Sequence, residues 1–414
     1  MKIKDENGVI IFFYIALVCH GMYFQREWIV LGGLFTAWAF FSRTVQFEEM
    51  SGNQYYRWII IIVLGMAGLS LAGLAQSVIK SEGWLEGLRW LLFLFVFYFS
   101  YRAGLDIRAR KKMIGKLLAA GIIVAAAGWL PGLDKIWIPS SGPEKDRLCS
   151  FWGYPNAAGI FFAVMLCLTE SGEGKTTYRG INLKKCLQLL FAVSIAATGS
   201  RGSLLIFLFV FILFQGRQTL AKAPGRLKLP EVQKADLIPF IAAAFLIWQN
   251  WSLFLRAGGH FLAWPGASIG ERLLYYRDGL EIAWLGHLLP QAGGWSLYPL
   301  VQQSEYLSTD PHSALIKVLV NQGIPGVLLL FGLSIIIGRQ YFQAMSSGER
   351  ERLALTGALS CLALHCMVDI DMAFGALGIL FWILLGLNTG SYTVPVDSIQ
   401  TYTNTKKNKI RDGV

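Results

Sequence analysis

Charge is what this chain has least of. Acidic and basic residues make up only 15% of its 414 residues, against roughly a quarter in soluble domains. That composition argues against an ordinary water-soluble enzyme. Cysteine is sparse too, six in all. Cys19, Cys167, Cys186, Cys361 and Cys366 lie in or beside apolar runs, and only Cys149 falls in a polar stretch. Packing roles, not a disulfide framework, are expected for them. There is no GxxxxGKS/T phosphate loop, no HExxH and no paired CxxC. Nothing therefore points to nucleotide use or a zinc-protease helix. The first apolar run has no A-x-A-like cleavage site after it and reads as a retained helix.

Apolar residues are what the chain does have. It is 54% hydrophobic, with 14 Trp, 15 Tyr and 27 Phe, and its mean hydropathy is +0.49. Apolar runs recur along the whole length, many near the ~20 residues that cross a bilayer core. The pattern predicts an all-α polytopic membrane protein of about twelve helices. Their expected ranges are 9–24, 28–41, 58–79, 85–101, 113–130, 155–168, 187–198, 203–214, 237–255, 314–338, 353–368 and 372–387. Residues 1–390 then form one membrane domain, with a large, partly helical loop over 256–312. Residues 391–414 are polar and basic and are expected to be a disordered cytoplasmic tail.

The net charge of +11 does not imply a nucleic-acid partner. The basic residues sit in short loops between apolar runs, where the positive-inside rule accounts for them. With both termini in the cytoplasm, most Lys and Arg fall inside. The exceptions are Arg26, Lys80, Arg89, Lys135, Lys145, Arg147, Arg201, Arg256, Arg272, Arg277 and Lys317. This orientation puts loop 256–312 outside, and each external cation then needs a reason.

Arg201 sits in ATGSRGS, a glycine-rich turn between two apolar runs at the outer boundary. There a guanidinium suits an anionic head group, or it snorkels to lipid phosphate. Arg272 belongs to IGERLLYYRDGLEIAWLG, which reads as an amphipathic helix. Leu273, Leu280 and Trp284 share one face; Arg272, Tyr276 and Gly279 share another. Arg277 is a second anion-binding candidate, although Glu281 lies one turn on as a partner. His312, in STDPHSALIKVL, precedes a helix whose positive end favours a neutral imidazole, the form a general base requires. Asp310 is placed to orient it. Near the end, LHCMVDIDMAFG holds His365, Asp369 and Asp371. Ionisable residues at that depth are functional candidates, although a polar turn explains them as simply. Asn156, in GYPNAAG, is a candidate for sugar hydroxyls. Arg89 is an acceptor-side candidate or a partner of Glu86.

These pieces, in order, resemble the O-antigen ligase and O-antigen polymerase superfamily of bacterial surface-glycan enzymes. The resemblance rests on GYPNAAG, TGSRGS, the helix from Arg272, DPHSALIKVLVNQGIPG and LHCMVDIDMAF. Its most specific part is His312 followed by NQGIPG at 321–326. Ser313 stands where the family often has Asn. The resemblance implies a GT-C-like membrane glycosyltransferase that needs neither cofactor nor metal. Its donor would be a glycan on a polyprenyl diphosphate, usually undecaprenyl diphosphate. The family's turn arginine, loop-helix arginine and histidine fall on Arg201, Arg272 and His312. The expected setting is the bacterial cytoplasmic membrane, with the site facing outward. The arginines would steady the departing diphosphate, and His312 would activate an acceptor hydroxyl on a glycan, lipid or protein, with inversion at the anomeric carbon. Ligase and polymerase stay open, as does a lipid-linked-glycan flippase, which would carry its charges nearer the bilayer midplane.

Overall fold

Two helices are apolar on every side, and they form the middle of the molecule. In the computed structural model, which describes residues 5–42, 53–130, 147–172, 177–178, 181–222, 265–304 and 307–392, these are α6 (Pro155–Leu168) and α12 (Gly375–Ser391). Every residue of α12 is buried, and so is every residue of α6 except Asn156. A helix without a polar face must be enclosed by others. Around them stand α1 (Asp5–Val18), α2 (Gly33–Phe41), α3 (Gln54–Ala72), α4 (Lys80–Leu105), α5 (Ile107–Trp129), α7 (Leu183–Thr198), α8 (Arg201–Lys222), α10 (Ala314–Ser347) and α11 (Arg350–His365). A further helix, α9 (Pro265–Leu285), lies in the segment predicted as the large loop. The only strands among the described residues are the two-residue pair Thr177–Tyr178 and Ile181–Asn182.

The fold is thus all-α, and each predicted helix within the described residues is helical. The predicted helix 237–255 and the tail beyond residue 392 lie outside them. Several ends differ from expectation. The charged stretch 107–112 is helical, because Asp106 caps α5 by accepting from the Arg108 and Ala109 amides at 2.6 and 3.0 Å. A hydropathy window stops at such charges, whereas a well-capped helix does not. Among the described residues, four helices are long and apolar enough to cross a membrane on their own: α4, α5, α10, and α3 with its extension to Ala75. Shorter apolar helices occur at 7–18, 155–171, 201–212 and 375–391.

α4 and α12 pack through small residues. A Cβ on Gly386 would lie 2.8 Å from the Phe97 carbonyl oxygen, and one on Gly390 2.6 Å from that of Tyr101. Ser100 and Gly104 face them four residues apart on α4, so the backbones touch, as in small-xxx-small membrane helix pairs. At this end of the bundle a buried polar chain ties three helices together. Thr356 donates to Asn388 (3.1 Å), Asn388 to Gln340 (2.9 Å), and Gln340 to Thr389 (2.9 Å).

The other end carries a separate small core. Tyr275, Ile282 and Ala283 of α9 pack with Tyr298, Ile316 and Val320. This outer layer is pinned to α10 at a break in that helix. Gly323 has φ 66° and ψ −166°, a conformation open essentially to glycine alone. There the Ile324 amide donates to the Leu288 carbonyl (3.0 Å), and the Gln291 amide to the Asn321 carbonyl (3.0 Å). The Asn321 side chain accepts from the Gly294 amide at 3.1 Å. The NQGIPG stretch is therefore a dock: Asn321 supplies acceptors, Gly323 the bend, and Pro325 omits one amide where the helical ladder is already interrupted.

Candidate functional site

Asp369 sits at the centre of that end, just past α11, and is only 3% exposed. A carboxylate so buried requires partners, and it has several. Arg272 donates to it at 2.7 Å, Asn156 at 2.9 Å, the Tyr154 hydroxyl at 2.8 Å, and the Ile370 amide at 2.8 Å. His312 Nδ1 lies 3.9 Å from Oδ1, the oxygen that accepts from Tyr154 and Ile370. Four separated stretches of sequence thus meet on one carboxylate: the start of α6, α9, the entry to α10, and the α11–α12 turn. Burial opposes the Asp369 charge, but His365, Arg272 and His312 outweigh it and hold the carboxyl below its usual pKa. Burial likewise opposes the Arg272 charge, and Asp369, Tyr154 and Tyr276 more than offset it. Tyr154 is pushed up, first by burial and then by Asp369, so it remains a donor.

His312 adopts φ 54°, a left-handed backbone uncommon outside glycine and costing on the order of 1 kcal/mol or more. Several contacts hold it there. Ser313 caps α10 through the Ile316 amide, Tyr276 donates to the His312 carbonyl at 3.2 Å, and the Tyr275 ring stacks on the imidazole at 5.1 Å. Nδ1 is buried without a hydrogen-bond partner. Burial lowers the His312 pKa, and Asp369 and Asp310 only partly restore it. The ring is therefore neutral at pH 7, from desolvation more than from the helix end invoked from sequence. Asp310 does not orient it: that carboxylate pairs with Lys317. The neighbouring carboxylate is Asp369.

Each residue of the TGSRGS turn has a place. Gly199 ends α7 in the left-handed conformation (φ 60°). The Ser200 hydroxyl accepts from the Ser203 amide at 3.4 Å and meets its hydroxyl at 2.8 Å. Arg201 is left exposed at the start of α8. Gly202 admits the His365 ring, whose Nε2 would lie 3.2 Å from an added Cβ. Ser203 meets the same Nε2 at 3.2 Å, and Asp371 holds Nδ1 at 2.6 Å. Asp369 and Asp371 thus turn to different partners and do not converge as a metal-binding pair. Among the described residues no group of three His, Cys, Asp or Glu side chains is arranged to hold a metal.

The remaining predicted residues divide. Asn156 is engaged within the protein: its amide nitrogen donates to Asp369 and Tyr154 and its oxygen accepts from Arg147 at 3.1 Å, so its amide organises the site. Arg147 also donates to the Thr198 carbonyl at 2.8 Å, three residues before Arg201, whose guanidinium its charge opposes. Arg277 is exposed on the face of α9 that carries Leu273, Leu280 and Trp284, and no ion pair joins it to Glu281. The apolar face of α9 is its outer face, with Trp284 72% exposed, while Arg272 and Tyr276 point inward. Arg89 pairs with Glu86. Sequence reasoning missed Tyr154, Tyr275, Ser203 and the organising place of Arg147. Only Arg147 left a signal, as an external cation against the positive-inside trend.

The chain matches no family model, and no curated protein is significantly similar to it.

Proposed function

We propose that the protein is a membrane glycosyltransferase that moves a glycan from a polyprenyl-diphosphate carrier to an acceptor hydroxyl on the outer side of the bacterial cytoplasmic membrane. The observation that carries the reading is the meeting of Arg272 and His312 on Asp369, at 2.7 and 3.9 Å, with the Arg201 turn tied in through Asn156, Arg147 and His365. A cation held against a carboxylate beside a neutral imidazole suits a reaction in which negative charge departs and a hydroxyl loses its proton.

In this mechanism Arg201 and Arg272 face the two phosphates. With its proton on Nδ1, turned toward Asp369, His312 leaves Nε2 free to accept. The acceptor oxygen attacks the anomeric carbon from the side opposite the diphosphate. The new C–O bond forms as the old one breaks, the electron pair leaves with the diphosphate, and the hydroxyl proton passes to Nε2. Asp369 steadies the imidazolium and fixes Arg272. Inversion follows from the single displacement. Tyr154 and Asn156 hold Asp369, and α9 covers the site with its apolar face toward the membrane boundary.

The test is to incubate the purified protein with a lipid-linked oligosaccharide and candidate acceptors, and to look for released polyprenyl diphosphate. Release that disappears in Arg201→Ala, Arg272→Ala and His312→Ala is the expected result. Movement of the labelled lipid across vesicles without cleavage would make the protein a flippase instead.

A further inference from the structure

On the far side of α11 from the Arg201 turn lies a groove that the mechanism above does not use. α10 packs on α3 and α11 and bonds to α12 through Gln340, but along the rest of its length it leaves an open groove toward α4 and α12. On α10 its lining runs from Ala314 to Ile337. At 1.5 Å per residue that is on the order of 30 Å, close to the thickness of a bilayer's hydrocarbon core. Trp90, Phe93, Leu333, Ile337, Phe381 and Trp382 make the deeper walls apolar.

Charged side chains occur at one end only. Glu86, Arg89 and Lys317 line the groove there, near Ala314, two residues from His312. The two cations are already matched, Arg89 by Glu86 and Lys317 by Asp310. Arg89 keeps one buried donor, Nε, without a hydrogen-bond partner, while its guanidinium rests on the Trp28 ring at 4.6 Å. This end is polar, electrically balanced and short of one acceptor. It suits an uncharged hydroxylic head better than a diphosphate. The wall toward Asp369 is thin: the Ala314 amide donates to the Cys366 carbonyl at 2.8 Å, and both residues line the groove.

We propose that this groove seats the hydrocarbon chain of a neutral glycolipid whose sugar lies at the Arg89–Lys317 end and presents its hydroxyl to His312. Resting on the glycosyltransferase reading, this makes the acceptor a lipid, bound on the opposite side of α11 from the donor's diphosphate. Chain and sugar are matched by the apolar length and the balanced end. The unpaired Arg89 Nε–H finds its acceptor in a sugar or glycosidic oxygen.

The probe is hexadecyl glucoside with a diazirine near the end of its chain, irradiated with the full-length protein in nanodiscs and mapped by mass spectrometry. Labelling should concentrate on the groove residues Leu330, Leu333 and Ile337 and on Phe381 and Trp382. Unlabelled hexadecyl glucoside should compete about tenfold more strongly than hexadecyl phosphate, a preference of about 1.4 kcal/mol. Ser334→Trp, at an exposed position on the groove wall, should reduce labelling severalfold. Label spread over the outward-facing Leu328, Phe331 and Ile335 without competition would overturn the proposal. Equal or stronger competition by the phosphate would overturn the neutral head. None of this requires turnover. Diphosphate release without groove labelling therefore rejects the groove and keeps the enzyme, and labelling without release does the reverse.

Discussion

His312 Nδ1 lies 3.9 Å from Asp369 Oδ1, inside the range of charge interaction but beyond that of a hydrogen bond. The same carboxylate already accepts from Arg272, Asn156 and Tyr154. Asp369 is thus shared between the cation that would hold the leaving group and the base that would activate the nucleophile. Asp369→Asn keeps the shape and removes the charge. It leaves Arg272 without its counter-ion and the imidazolium without support. Transfer should fall by about 10² or more, and the melting temperature should drop as well, because one partner of a largely buried pair is lost. Product release and thermal unfolding of the detergent-solubilised variant check the two effects separately.

Burial lowers the His312 pKa from its ordinary 6.5, and this fixes the sign of the pH dependence. The base must be neutral, so transfer should be flat through neutral pH and fall only as acidification passes through the lowered pKa, below 6.5. The native state binds fewer protons here than the unfolded chain. The histidine's contribution to stability is therefore present above 6.5 and is lost as pH falls below it. Asp369 raises this pKa, so Asp369→Asn should carry the acidic limb further down in whatever activity remains. A pH–rate profile of both proteins checks this; a limb moving upward would contradict it.

Much of this architecture was legible in the sequence, and what was not has physical reasons. Apolar periodicity located the helices because burial in a bilayer and in a helical core both demand it. His312 and Arg272 stood out as polar residues in an apolar chain, and they do lie together. Arg277 stood out equally but faces outward, since a turn of 3.6 residues sends positions 272 and 277 to different faces. The Asp310 and Asp369 roles exchanged because proximity in sequence is not proximity in space: Lys317, in the first turn of α10, captures Asp310. Ser203 and Tyr154 gave no signal, because a hydroxyl becomes informative only when its partner, 162 or 215 residues away, is placed beside it.

Gly323 tests whether the outer layer must be docked. An added Cβ would sit 2.5 Å from the Leu288 carbonyl oxygen, in a backbone conformation disfavoured for other residues. Gly323→Ala should cost about 1–3 kcal/mol from backbone strain alone. The clash adds to this and should push residues 286–294 off α10. Limited proteolysis should then cut that loop faster, while the polar chain around Gln340 at the other end stays protected. Unchanged cleavage would mean that the break in α10 is not what holds the layer.

The last prediction separates the two carboxylates of the DID stretch. Asp371 is fully buried and its one charged partner is His365, held at 2.6 Å between it and Ser203. His365→Ala removes that partner and strands a buried charge, which should cost about 3–5 kcal/mol. Ser203→Ala removes only a hydroxyl and should cost about 1 kcal/mol. If His365 serves to fix the start of α8, Ser203→Ala should leave the protein folded yet weaken its grip on the anionic donor, because Arg201 lies two residues away on the same turn. The expected signature is a raised KM for the lipid-linked donor, with kcat and the acceptor KM little changed. A fall in kcat at constant KM would instead assign the Ser203–His365–Asp371 chain to the chemical step, and thermal melting would show which variant had failed only by unfolding.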